Sequence, residues 1–110
     1  MAAWFELIKS SNEQYRFLLK AGNGEPLLTS EQYQSKASAQ GGIASVQANS
    51  PLSERYERKT ASGGQPYFTL KAGNHQVIAT SETYASAASR DGGIASVQKN
   101  GGTLTVKEVG

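Results

Sequence analysis

The chain has 110 residues, a net charge of +2 and no cysteine. The missing cysteine excludes disulfides, zinc–thiolate sites, iron–sulfur clusters and thiol nucleophiles in one step. Two surplus cations fall short of the dense Lys/Arg stripe of a dedicated nucleic-acid binder.

In chain order, "WFELIK" from Trp4 reads as a first strand, and the turn-rich "SSNEQ" suits a hairpin into "YRFLLKA". There Phe17 and Leu19 share one face and Lys20 takes the other. "GNGE" makes a second tight turn, with Asn23 suited to a left-handed position, and "PLLTS" is a third strand. A helix begins after the N-cap Ser35, runs to Ala48 and stops at Asn49. The same order then recurs: "ERYERKT", "ASGGQP", "YFTLKA", "GNHQ" with Asn74, "QVIATS", and a helix from Ser86 to Lys99 ending at Asn100. "TLTVKEV" offers one further strand.

The recurrence is a duplication. Shifted by 51 positions, Phe17–Asn49 falls on Phe68–Asn100 without a gap, identical at 21 of 33 places. The register extends backward, placing Phe5 over Tyr56, Glu6 over Glu57 and Gln14 over Gln65. A unit of about 50 residues is near the lower limit for an independent core. One α+β domain over residues 1–110 is therefore expected: two tandem β-β-β-α repeats (4–52 and 55–103) and a closing strand (103–109). They share one antiparallel sheet and core with approximate two-fold symmetry, so the chain is expected to be a monomer. The opening "MAAWFELIKSS" lacks the features of a secretory signal, and no run approaches the ~18 apolar residues of a membrane span, so a soluble cytoplasmic protein is expected.

Three motifs recur: Leu19-Lys20-Ala21 with Asn23, Ser30 with Tyr33, and Gly42-Ile43 with Ser45-Val46 and Asn49. Copy two repeats them as Leu70-Lys71-Ala72 with Asn74, Ser81 with Tyr84, and Gly93-Ile94 with Ser96-Val97 and Asn100. Over nearly the whole chain this pattern resembles the YegP-like family. The resemblance implies a β-β-β-α repeat, either in tandem or as a dimer of single copies, joined in one sheet with exchange of the terminal strand. The family is one of bacterial proteins of unknown function, so no activity or catalytic residue comes with it.

Candidate chemistry is sparse. His75, alone and matched by Gly24 in copy one, reads as a solvated turn residue. "GNG" lacks the further glycines and the Lys-Ser/Thr of a phosphate loop. Glu31 with Tyr33, and Glu82 with Tyr84, could act as base and binding platform in a small enzyme. Their repetition favours a framework role instead, with Ser or Glu satisfying backbone donors and Tyr covering the core. Glu6 with Lys20, and Glu57 with Lys71, read as cross-strand ion pairs. Catalytic, metal and cofactor sites are therefore not expected. The leading expectation is a non-catalytic interaction module binding a protein or nucleic acid. Its candidate surface is Arg16, Lys20, Arg55, Tyr67 and Lys71, although strand parity does not put all the aromatics on one face. Gly42 and Gly93 are expected where each helix presses on the sheet, beside Ile43, Val46, Ile94 and Val97. Gly41 and Gly92 read as local loosening or a late helix start.

Overall fold

A computed structural model describes residues 2–109. Six strands form the two hairpin-rich halves: β1 (Trp4–Lys9), β2 (Tyr15–Lys20) and β3 (Pro26–Ser30), then β4 (Tyr56–Thr60), β5 (Pro66–Lys71) and β6 (Val77–Thr80). Helices α1 (Lys36–Asn49) and α2 (Ala87–Asn100) follow β3 and β6, and β7 (Val106–Val109) closes the chain. The sheet runs β4-β5-β6-β3-β2-β1-β7. The halves join where β3 meets β6 antiparallel, Thr29 opposite Thr80.

Alternation selects the faces. Phe5, Phe17, Leu19, Phe68 and Leu70 are fully buried, as are Val46 and Val97 from the helices. The strand register puts those five sheet residues on one face, and both helices lie against it. Phe17 stacks with Tyr33, and Phe68 with Tyr84, at 6.2 Å between ring centroids in both cases. Both helices start as the sequence suggests, Ser35 accepting from the Ser38 N–H and Ser86 from that of Ser89. Each runs unbroken through its two glycines, so Gly41 and Gly92 mark neither a late start nor a break. At the C-termini the Asn49 and Asn100 amides donate back to the carbonyls of Ser45 and Ser96. Ser50 and Gly101, equivalent by the 51-residue shift, touch each other, which places the pseudo-two-fold axis between the helix ends.

Three local readings change. Ser53–Arg55 form a 3-10 turn, so the first strand of copy two begins only at Tyr56. The closing strand β7 runs parallel to β1, Phe5 opposite Val106, while every other pair is antiparallel. The cause is the duplication. The chain leaving α1 becomes β4, beside β5, and symmetry would bring the chain leaving α2 to the matching place beside β2. β1 already occupies that place, so β7 adds outside it with the same direction. Third, the left-handed residues are not Asn23 and Asn74 but their successors, Gly24 at φ 86° and His75 at φ 69°. The asparagines instead accept from the N–H groups of Glu25 and Gln76.

The first hairpins mirror this, with Gly64 at φ 90° and Glu13 at φ 64°. Each half thus uses glycine in one turn and a strained side chain in the other. Left-handed backbone costs a non-glycine residue about 1–2 kcal/mol, partly offset by the entropy glycine loses on folding. Glu13→Gly and His75→Gly should each stabilise the protein by about 0.5–1 kcal/mol, read as a higher denaturant midpoint. A lower midpoint for both would show that the side chains make compensating contacts.

Candidate functional site

Among the described residues, the opposite face of the sheet carries no helix. One row crosses all seven strands in register: Glu57, Thr69, Thr80, Thr29, Leu18, Glu6, Lys107. Small threonines hold its centre, at the junction of the halves. On one side of the row Trp4 lies opposite Lys20, and Tyr67 opposite Lys59. On the other side are Ile8, opposite Arg16, and Lys71.

Of the sequence candidates, Arg16, Lys20, Tyr67 and Lys71 share this face. Arg55 does not join them. It sits in the 3-10 turn, where its Nε donates to Asn49 Oδ1 at 2.9 Å. Trp4, Lys59 and Lys107 were missing from that surface, because the face of a first strand and of the closing strand becomes fixed only by its partner's register. The remaining aromatics, Tyr15, Tyr33, Tyr56 and Tyr84, belong to the helix side.

Ion pairs order the face. Glu6 meets Lys20 at 3.4 Å, and Glu57 meets Lys71 at 2.9 Å and Lys59 at 3.7 Å. The hydrogen bond from Lys71 holds the Glu57 carboxyl below its usual range. Trp4 donates to Glu6 through its indole N–H, and the Lys107 ammonium lies 4.3 Å from the Trp4 ring centre. The strands of this face hold five cations (Arg16, Lys20, Lys59, Lys71, Lys107) against two carboxylates, Glu6 and Glu57, while Glu31 and Glu82, just past the ends of β3 and β6, come opposite Arg16 and Tyr67. The chain's other six cations and its remaining five carboxylates lie elsewhere. The strands of the helix-free face therefore carry more cations than carboxylates.

The candidates where β3 and β6 turn toward the helices are built differently. Ser30 accepts from the Phe17 N–H and donates to the Glu31 carbonyl, and Ser81 does the same for Phe68 and Glu82. Glu31 and Glu82 are exposed. Because β3 and β6 are antiparallel, these carboxylates sit beyond opposite ends of the Thr29–Thr80 pair, four residue steps or about 13 Å apart along the strands. They do not form an acid pair. Gly42 and Gly93 are buried, each facing the hydroxyl of Tyr33 or Tyr84 and the ring of Phe17 or Phe68, and Ile43, Val46, Ile94 and Val97 are buried beside them. His75 is exposed in its turn. Among the described residues no cluster of His, Cys, Asp and Glu could hold a metal ion, and no helix is long and apolar enough to cross a membrane.

Two shallow grooves flank β7 on the helix side. One of about 300 Å³ is lined by Leu7, Gln40, Ile43, Gln47, Val106 and Glu108, and one of about 190 Å³ lies beside the Lys36–Glu108 ion pair. In repeat two, Leu7 and Gln40 are replaced by Arg58 and Asp91, which pair at 3.0 Å. The grooves thus follow from the added strand and from a divergence between the copies. Neither is lined by Glu31, Tyr33, Glu82 or Tyr84.

Burial pushes the hydroxyls of Tyr33, Tyr56 and Tyr84 above the usual value of 10.0, most strongly for Tyr56, which donates to the Ser50 carbonyl at 2.7 Å. Nearby Glu31 adds to the effect at Tyr33, as Glu82 and Glu25 do at Tyr84. A raised folded value favours the protonated fold. The stabilisation is therefore complete below pH ~10 and is lost as pH climbs through the folded values. The denaturant midpoint should fall between pH 9 and pH 11, and Tyr56→Phe, though less stable at neutral pH, should show a shallower fall. Equal falls would remove Tyr56 as the main cause.

The model of the domain of unknown function DUF1508 matches this chain twice, over residues 10–57 and 61–108. The chain belongs to this family. Each match runs from the turn before a middle strand to the strand after a helix, so the strand that ends one unit lies against the other unit or its edge. Within the family, the UPF0339 protein YegP of Escherichia coli K12 is 65% identical over 108 residues, covering 98% of both chains. Two solution NMR structures share the fold at a TM-score of 0.92. A UPF0339 protein of Shewanella oneidensis is 56% identical, covering 98% of this chain and 92% of that one. E. coli yegP, described as a protein of unknown function, is 65% identical, covering 98% and 93%. The family thus fixes the repeat and the fold, and names no activity.

Proposed function

We propose that the protein is a non-catalytic interaction module whose helix-free sheet face binds a polyanion, nucleic acid being the natural class. The observation that carries this reading is the charge distribution: the strands of one face carry five cations against two carboxylates, around a row of small threonines. A protein-docking face would be expected to be depleted in lysine, and this one holds four. The chain is taken to act as a cytoplasmic monomer over residues 1–110, the two repeats standing in for two subunits.

Labelled RNA and DNA oligonucleotides should raise fluorescence anisotropy at 50 mM salt. Engagement of up to five phosphates implies a log–log salt slope of up to about −3.5, hence a loss of roughly 10- to 100-fold between 50 and 200 mM. Arg16→Gln with Lys71→Gln should weaken binding and flatten the slope while leaving the melting temperature nearly unchanged. Absence of binding to every polyanion at low salt would sink the reading. Salt-insensitive capture of a protein on this face would replace it.

A further inference from the structure

The two halves differ where it matters on this face. Trp4 corresponds to Arg55, and Arg16 to Tyr67, under the 51-residue shift. β2 and β5 run in opposite directions, because three antiparallel pairings separate them. Stepping from Leu18 to Lys20 along β2 and from Thr69 to Tyr67 along β5 therefore moves to the same side of the threonine row. Were the copies identical, symmetry would put equivalent residues on opposite sides. The two divergences instead place both aromatics on one side, each opposite a lysine: Trp4 with Lys20, Tyr67 with Lys59. Four strand steps separate β1 from β5, about 19 Å at ~4.8 Å each. Lys107 already holds a cation over Trp4.

Building on the polyanion reading, we infer that this lane is a single-stranded nucleic-acid site. Bases stack on the Trp4 and Tyr67 rings, while Lys20, Lys59 and Lys107 meet the phosphates. Stacking needs a free base face, which a duplex keeps inside its helix, and a sheet face crossed by cations and aromatics suits an unpaired strand. The span fits roughly three or four extended nucleotides. Binding moves Lys107 from the Trp4 ring onto the backbone, which its exposed position on β7 allows. On the other side of the row, Arg16 and Lys71 have no aromatic among their neighbours in register, so the lane is one-sided.

Trp4 is the sole tryptophan and reports the lane directly. A titration with an oligo(dT) octamer at low salt should quench its emission, and the octamer should bind at least 10-fold more tightly than a duplex of equal length. Anisotropy with Trp4→Ala or Tyr67→Ala should show a loss of roughly 5- to 100-fold for the single strand and little change for the duplex. Trp4→Phe keeps a ring in place should the alanine variant fold poorly, and should retain most of the affinity. Equal binding of single strand and duplex with unchanged Trp4 emission would overturn the lane and leave the polyanion reading standing. No binding of either at low salt would overturn both. Quenching with full affinity retained in Tyr67→Ala would confine stacking to Trp4 and overturn the two-ring site.

Discussion

Gly42→Ala should destabilise the protein by about 1–3 kcal/mol, while the same change one residue earlier, at Gly41, should stabilise it by up to ~1 kcal/mol. Both glycines lie in the interior of α1, where alanine is worth up to about 1 kcal/mol more than glycine. A Cβ at Gly41 meets nothing within 4 Å, so that gain stands alone. At Gly42 it would lie 2.5 Å from the Tyr33 hydroxyl and 2.8 Å from Cε2 of Phe17. The tyrosine can swing outward. The phenylalanine is fully buried, edge-on to Phe5, and has nowhere to go without moving the sheet. Gly93 faces the same pair of rings in repeat two, but there the clash moves to the tyrosine tip, with Tyr84 Cζ at 2.6 Å and the buried Phe68 Cε2 at 3.2 Å, so Gly93→Ala should cost less as the tyrosine gives way. Denaturant midpoints of the three variants give the test. Similar values for Gly41→Ala and Gly42→Ala would show that the helix shifts to relieve the contact.

Ser30→Ala should cost about 2–3 kcal/mol, a large effect for the removal of one oxygen. Ser30 is nearly buried, and its Oγ takes the Phe17 N–H at 2.9 Å while donating to the Glu31 carbonyl at 2.7 Å. Deleting it strands a buried donor, at about 1–3 kcal/mol for such a group, and weakens the carbonyl's position too. Ser81→Ala should match it, since the Phe68 N–H and Glu82 carbonyl are held at 2.9 and 2.8 Å. The serine of the recurring Ser-x-x-Tyr motif therefore replaces a missing rung of the ladder where β3 turns toward α1, and β6 toward α2. A change below about 0.5 kcal/mol in both variants, measured by chemical denaturation, would show that water supplies the bond instead.

Much of the architecture is legible because the chain states it twice. Phe17 and Leu19 alternating against Lys20 could belong to many strands; the same letters 51 places later make the pattern a unit, and Ser35 and Ser86 mark both helix starts. What escaped is non-local or set by single dihedrals. The asparagine in "GNG" looks like the left-handed residue, yet the hairpin geometry gives that role to the position after it, held by Gly24 and His75. The direction of β7 depends on which place is already taken. The candidate surface was half visible: parity within β2 and β5 groups Arg16, Lys20, Tyr67 and Lys71, but adding Trp4, Lys59 and Lys107 requires the pairings of the outer strands.

The parallel strand at the sheet's end has one more consequence. By the 51-residue spacing, β1, β4 and β7 are three versions of the same strand, with Phe5, Tyr56 and Lys107 at equivalent places and Glu6, Glu57 and Glu108 following them. Two of the three must occupy the sites beside β2 and β5, and the third is surplus. The chain therefore holds an internal competition for one site, with β1 and β7 as rivals that approach it in the same direction. Burial of a lysine opposes one of them: β7 in the inner site would drive Lys107 into the space that Phe5 fills at zero exposure. Replacing that lysine with an aromatic would remove the penalty. Chains should then populate two strand orders, visible as doubled amide resonances for β1 and β7, and a single set of resonances would show that Lys107 is not the arbiter.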